Sequence, residues 1–270
     1  MLHYLLKSLI NMNYKHIDPK QFRTIFSESL WYLDFIDNPQ INEVFYGPNE
    51  ALSEIRELSS VARTKRREVR KEVYSVTLKA FREDKIYFGK TGKNWDRTRK
   101  QIDTIVIHSN EPEYFKQIAM ASVVPLIRIY VPLYANATAD KEYYRKPLWS
   151  NHFDEYGKMN FWTYHWLINK DGTIQRLLKD EQIGWHAGNF IINQRSIAIC
   201  VPVNFKQETP SATIISSVVS IIQKFYSFIP KENIIGHCEV SRNPKYKNEI
   251  YCPGKTFLKE WKRRIIDQLS

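Results

Sequence analysis

The chain has 270 residues, 43% of them apolar and 14% aromatic, enough to bury a core and to exclude a mostly disordered or fibrous protein. Its 40 Lys and Arg outnumber 29 Asp and Glu, and the net charge of +11 favours anionic partners without choosing among nucleic acid, a membrane surface and an acidic polymer. No run approaches the ~18 apolar residues of a membrane span. The three cysteines, Cys200, Cys238 and Cys252, are too sparse for a disulfide scaffold and suit a reducing compartment.

Residues 1–100 read as a mainly helical, basic region. Residues 1–12 are interrupted by Lys7 and lack a basic leader and a small-residue cleavage site, so they read as an amphipathic helix and not as a signal peptide. Synthesis in the cytoplasm follows as an expectation, with release or export to a cell wall by another route left open. Phe22, Ile25, Phe26, Leu30 and Leu33 keep helical spacing within 17–36, and 34–48 carries Asn-Pro and Gly-Pro breaks. A helix is expected over 49–77, turning strongly basic at Arg63, Lys65, Arg66, Arg67, Arg70 and Lys71. These charges form either a solvated face or a dock for an anionic polymer, and no zinc-finger, RNP or KH motif accompanies them. Lys90–Lys100, basic, with Gly92 inside it and Gly89 just before it, reads as a linker.

From Gln101 the texture becomes that of an α/β domain, 101–270. Thr104–His108 and Ser196–Val203 are apolar runs of buried-strand type. Phe161–Asn169 and Thr173–Leu178 flank an Asp171-Gly172 turn and read as a hairpin. Ser211–Phe228 and Thr256–Leu269 have helical spacing, and Ile234–Val240 is a short apolar strand. The expected fold is a mixed central β-sheet flanked by helices. Ser109–Thr163 is long, with an apolar run, Val123–Tyr134, broken by Pro125 and Pro132. It reads as an inserted lid, a groove wall or extra packing.

His108 ends a buried strand, His237 sits in Gly236–Ser241 (GHCEVS) and Cys252 in Cys252–Gly254 (CPG). Two imidazoles and a thiolate make a good zinc set, and three protein ligands leave a fourth position for water, the pattern of a catalytic site.

Six segments occur together: Ile105–Ser109 (IVIHS), Tyr164–Thr173 (YHWLINKDGT), Trp185–Gly188 (WHAG), Asn193–Cys200 (NQRSIAIC), Gly236–Ser241 and Cys252–Gly254. With these, the chain from about Ile102 to Ile266 resembles the zinc-dependent N-acetylmuramoyl-L-alanine amidases of the type that includes phage amidase lysozymes and peptidoglycan recognition proteins. The resemblance implies that His108, His237 and Cys252 hold Zn2+. It implies that Tyr164 hydrogen-bonds the attacking water or the developing oxyanion, and that Trp185, His186 and Asn193 contact substrate. His165 alternates away from Tyr164 and reads as structural. Relatives of this type differ at two places: some carry Lys two positions before the third ligand, where this chain has Ile250, and wall-recycling relatives carry Glu where this chain has Cys200. The stretch Cys238–Tyr251 is longer than usual and rich in Lys and Asn.

The implied activity is hydrolysis of the amide between N-acetylmuramic acid and L-alanine, of endolysin-like kind. The alternative is a binding protein that keeps the fold without turnover. Expected partners are peptidoglycan or muropeptides, with anionic wall polymers on the basic N-terminal region, and neither a specific nucleic acid nor a membrane span.

Overall fold

The computed structural model describes residues 26, 30–38, 41, 45, 60–110, 120–138, 141–203, 209–240 and 252–269. The expected helix over 1–12 and most of the long Cys238–Tyr251 stretch lie outside the described residues. The chain divides into two compact units, Met1–Gly92 with Val123–Trp149, and Lys93–Ser122 with Ser150–Ser270.

The first unit is helical. Helix α1 (Trp31–Asp37) buries Trp31, Tyr32 and Phe35, and the Trp31 indole N–H donates to the Tyr87 carbonyl at 3.0 Å. Helix α2 (Ser60–Arg82) buries Val69, Val73, Tyr74, Thr77, Leu78 and Phe81 along one face. It ends five residues beyond its expected end. Asp84 takes a left-handed φ of 53° and Lys85 N–H bonds back to Ala80 O at 2.9 Å, closing the helix as a Schellman motif does. The run expected to break at its prolines stays helical. Helix α3 (Met120–Pro125), a π turn (Leu126–Tyr130) and helix α4 (Val131–Ala135) follow one another. Pro132 has no N–H for the carbonyl four residues before it, and the ladder slips to a longer bond, Val131 N–H to Leu126 O, before resuming. From Val123 on the chain belongs to this unit, and residues 123–149 add Ile127, Tyr130, Tyr134 and Tyr143 to its core.

The second unit carries the mixed sheet. Its strands are β1 (Thr104–Ser109), β4 (Trp166–Ile168), β5 (Ile174–Arg176), β6 (Ser196–Val201) and β7 (Ile234–Gly236), with a short separate hairpin, β2 (His152–Phe153) and β3 (Met159–Asn160), between β1 and β4 in sequence. The sheet order is β5-β4-β6-β1-β7, with β5 antiparallel and the other pairs parallel. The expected strands are trimmed but present, and both central strands are buried along their whole length, as their continuous apolar runs require.

Period-2 alternation divides the sheet into two faces. Ile105 and Ile107 of β1, with Ile197, Ile199 and Val201 of β6, join the main core under α6 (Ala212–Phe225) and the C-terminal helix. Ser211 caps α6 through its hydroxyl on Ile214 N–H, and Ile214, Ile215, Val218, Val219, Ile221 and Ile222 form the buried stripe. The C-terminal segment is a π turn (Phe257–Trp261) running into α7 (Lys262–Gln268). The opposite face carries Val106, His108 and Cys200, so β1 and β6 place His108 level with Cys200 on the side away from α6.

The Lys90–Lys100 segment is more than a linker. Trp95–Thr98 is a 3-10 turn capped by Asn94. Asp96 bonds His152 Nε2 at 3.0 Å, Ile183 N–H at 2.7 Å and Asn151 Nδ2 at 2.8 Å. Arg99 runs under α5 (Phe190–Arg195), donating to the carbonyls of Asp180 at 2.8 Å, Asn193 at 2.8 Å and Ser196 at 3.0 Å. Composition hides this because both charges are taken up by partners more than 50 residues away.

Candidate metal centre

Three segments far apart in sequence meet at the C-terminal end of β1. His108 is buried at 2% exposure, and the strand's alternation aims it off the sheet. His237 opens the 3-10 turn that follows β7, and its ring centroid lies 4.4 Å from that of His108. Cys252 precedes Pro253, and its Sγ lies 3.7 Å from His108 Nδ1. One ligand atom from each of the three residues falls within 4.8 Å of the others, and among the described residues this is the group of His, Cys and carboxylate donors that gathers so closely.

Local backbone fixes the pieces. Gly236 stands where a Cβ would meet Phe257 at 2.5 Å and Pro253 at 2.9 Å, so only glycine lets β7 approach the Cys252 turn. Cys238 N–H donates to Cys252 O at 2.7 Å, tying the His237 turn to the cysteine turn. The Ser109 N–H points at Cys252 Sγ from 3.2 Å, a dipole that favours the thiolate. Glu239 accepts from Gly236 N–H at 2.8 Å and pairs with Lys262 at 2.7 Å, anchoring the turn to α7.

Tyr164 sits before β4, not within it, with its ring 5.1 Å from that of His108. Trp185 is half-buried, stacked on Phe190 at 5.6 Å and edge-on to Trp95 at 5.4 Å, with the Lys93 ammonium 4.2 Å from the Trp95 ring. The other two residues expected at the substrate are placed differently. His186 is 6% exposed, with one ring nitrogen on His108 Nε2 at 3.0 Å and the other on Ser196 Oγ at 3.1 Å. Asn193 is 3% exposed, and its Oδ1 accepts the Ala187 N–H at 2.8 Å. Both are buried, and the Asn193 bond ties the loop after Trp185 to α5. Cys238 packs on the main core, and Cys200 accepts from Asn110 Nδ2 at 2.8 Å beneath the centre. Burial pushes the Cys200 thiol well above its usual range, which keeps it a neutral thiol. Ile250 lies outside the described residues.

Sequence reasoning overlooked Ser196 and Arg99. A serine opening a strand and an arginine in a basic stretch carry no pattern of their own, and only the long-range bonds reveal them.

His165 is structural. Its Nδ1 accepts from Ala198 N–H at 3.1 Å and its Nε2 donates to Gln182 O at 3.0 Å. Burial, with repulsion from Arg99 and His186, holds its pKa well below 6.5. The unfolded chain therefore binds a proton first as pH falls below 6.5, and stability drops there by up to roughly 1.4 kcal/mol per pH unit. His165→Gln, which keeps a donor and an acceptor, is expected to flatten this limb by one proton. Thermal unfolding between pH 7.5 and 5 checks it, and an unchanged slope refutes it.

Residues 98–255 match the family model described as N-acetylmuramoyl-L-alanine amidase. A curated protein of Haemophilus influenzae, 1,6-anhydro-N-acetylmuramyl-L-alanine amidase AmpD, is 31% identical over 109 residues, 37% of this chain and 55% of that protein. The chain thus spans about half the length of the curated relative it matches. Among solved structures, the N-acetylmuramoyl-L-alanine amidase LysC of Clostridium intestinale aligns at 19% identity and a TM-score of 0.39, covering 65% of this chain and 94% of that one. Drosophila peptidoglycan recognition protein SD aligns at 15% and 0.36, covering 59% and 80%.

Proposed function

The chain belongs to the N-acetylmuramoyl-L-alanine amidase family, and from that premise we propose that it hydrolyses the amide between N-acetylmuramic acid and L-alanine in peptidoglycan, with zinc held by His108, His237 and Cys252. The observation that carries this reading is the convergence of those three donors within 4.8 Å. Their chemistry fits the ion: with Zn–N and Zn–S distances of about 2.0 and 2.3 Å, tetrahedral ligands N and S would stand roughly 3.5 Å apart. The His108 Nδ1–Cys252 Sγ distance is 3.7 Å.

A bound zinc supplies a water acidified to near neutral pH and a Lewis acid for the scissile carbonyl. The rest falls to the chain. The Ser109 N–H points at the Cys252 sulfur and would steady it as a ligand, and the buried face of β1 holds His108 in one orientation. The Tyr164 hydroxyl donates to the oxyanion that develops as the amide is attacked, a contact typically worth about 3 kcal/mol. Trp185, with Phe190 and Trp95, offers an aromatic wall for the substrate, while His186 and Asn193 position what surrounds it.

The test uses the purified full chain. Zinc per protein is quantified, the protein is incubated with purified peptidoglycan, and stem peptides that begin with L-alanine are sought by mass spectrometry. One equivalent of zinc with peptide release supports the amidase. Wall binding without zinc and without release overturns it in favour of a binding protein on the same fold.

The basic N-terminal stretch is proposed to concentrate the protein on anionic wall polymers. Changing Arg63, Lys65, Arg66, Arg67, Arg70 and Lys71 to Gln is expected to weaken co-sedimentation with walls at about 10 mM salt, where the Debye length is ~30 Å, and to change nothing near 1 M. Equal sedimentation at low salt refutes this role. Among the described residues no helix is long and apolar enough to cross a membrane.

A further inference from the structure

We propose that Ile192, Ser196 and His186 form a one-directional hydrogen-bond chain that fixes the tautomer of His108, so that this residue binds the metal through Nδ1. The proposal rests on the zinc reading above for its metal, and on hydrogen-bond geometry alone for the tautomer.

The argument starts at the far end. The Ile192 carbonyl can only accept, and Ser196 Oγ lies 2.7 Å from it. A serine hydroxyl has one proton, which is committed there. His186 Nε2 lies 3.1 Å from the same oxygen and must therefore donate to it. A neutral imidazole carries one N–H, so His186 Nδ1 is left with its lone pair. That lone pair faces His108 Nε2 at 3.0 Å, which in turn must donate. His108 Nδ1 is thereby stripped of its proton, and it is the nitrogen that faces Cys252 Sγ at 3.7 Å. With both rings neutral, no other placement of protons satisfies the chain.

The surroundings keep it rigid. Ser196, His108 and His186 are 0%, 2% and 6% exposed, so water does not compete for the bonds. Helix α5 supplies Ile192, and Ser196 directly follows it. Asn189 caps its start by accepting from Ile191 and Ile192 N–H, and Arg99 grips the carbonyls of Asn193 and Ser196. A carboxylate or carbonyl commonly orients a metal-binding imidazole. Here a second neutral imidazole takes that place, and it orients the ligand without adding charge to a buried centre.

His186 is on this account a positioning residue, and its test reads the ring nitrogens directly. Histidine-labelled full-length protein is examined by long-range proton–nitrogen correlation, metal-free and zinc-loaded, with zinc affinity measured by competition against a chromophoric chelator. The expected result is a protonated Nε2 on both His108 and His186 in the metal-free protein, with zinc moving only the Nδ1 signal of His108. His186→Ala is expected to weaken zinc binding about 10- to 100-fold. His186→Asn, whose Oδ1 stands where Nδ1 was, should recover most of that loss, and Ser196→Ala should give a smaller one. A His108 protonated on Nδ1, zinc on Nε2, or a folded His186→Ala protein that binds zinc within twofold of the parent overturns the proposal. Should His186→Ala not fold, the parent's tautomers and Ser196→Ala still decide it. The assigned tautomers in a protein that takes no zinc would sink the metal-binding half together with the zinc reading, and leave only the hydrogen-bond chain.

Discussion

Cys252→Ala is expected to fold, to lose zinc and to release no stem peptides. Structural zinc sites with four protein ligands bind with roughly 10–16 kcal/mol, so one ligand's share is about 3–4 kcal/mol, or a 100- to 1,000-fold loss of affinity. The fold should survive because Cys252 is only partly buried and its backbone carbonyl, not its side chain, ties the turn to Cys238. Cys252→Asp offers an oxygen donor that zinc accepts, and should retain more metal than Cys252→Ala. Metal titration with circular dichroism checks both. Zinc binding equal to the parent in Cys252→Ala would remove the third ligand from the site.

Arg99→Ala is expected to destabilise the second unit by about 3 kcal/mol or more. Each of the three carbonyls it serves forfeits a charge-assisted bond, and a buried carbonyl left bare costs about 1–3 kcal/mol. Burial lowers the Arg99 pKa to about 10, so the guanidinium stays cationic at neutral pH and its bonds keep their strength. For a unit of this size the thermal midpoint should fall by roughly 6–12 °C. Arg99→Lys should recover less than half, since an ammonium lacks the planar fork that spans Asp180, Asn193 and Ser196. A midpoint within 2 °C of the parent in Arg99→Ala would show that water replaces the side chain without cost.

The parts of this protein that could be read in advance are those with a period or a motif. β1 and β6 announce themselves as continuous apolar runs, α6 as a stripe from Ile214 to Ile222, and the donors His108, His237 and Cys252 as chemistry recurring in a known order. What stayed hidden depends on distant partners. His186 looked like a loop residue because nothing adjacent to it shows that Ser196 waits at hydrogen-bond distance. Lys90–Lys100 looked like a linker because charge usually means solvent, yet Asp96 and Arg99 spend theirs inside. Pro125 and Pro132 looked like breaks because proline forbids one helical bond, and the chain avoided that cost by lengthening another.

The division of the chain gives it an order of assembly. The first unit draws on residues 1–92 and 123–149, with part of the second synthesised between them. On the ribosome its first 92 residues therefore wait for Ile127, Tyr134 and Tyr143 before their core can close, about 3–11 s at roughly 5–20 residues per second. Removing residues 1–92 would accordingly not excise a module. It would remove most of one, and leave the aromatic residues of 123–149 as a sticky remnant.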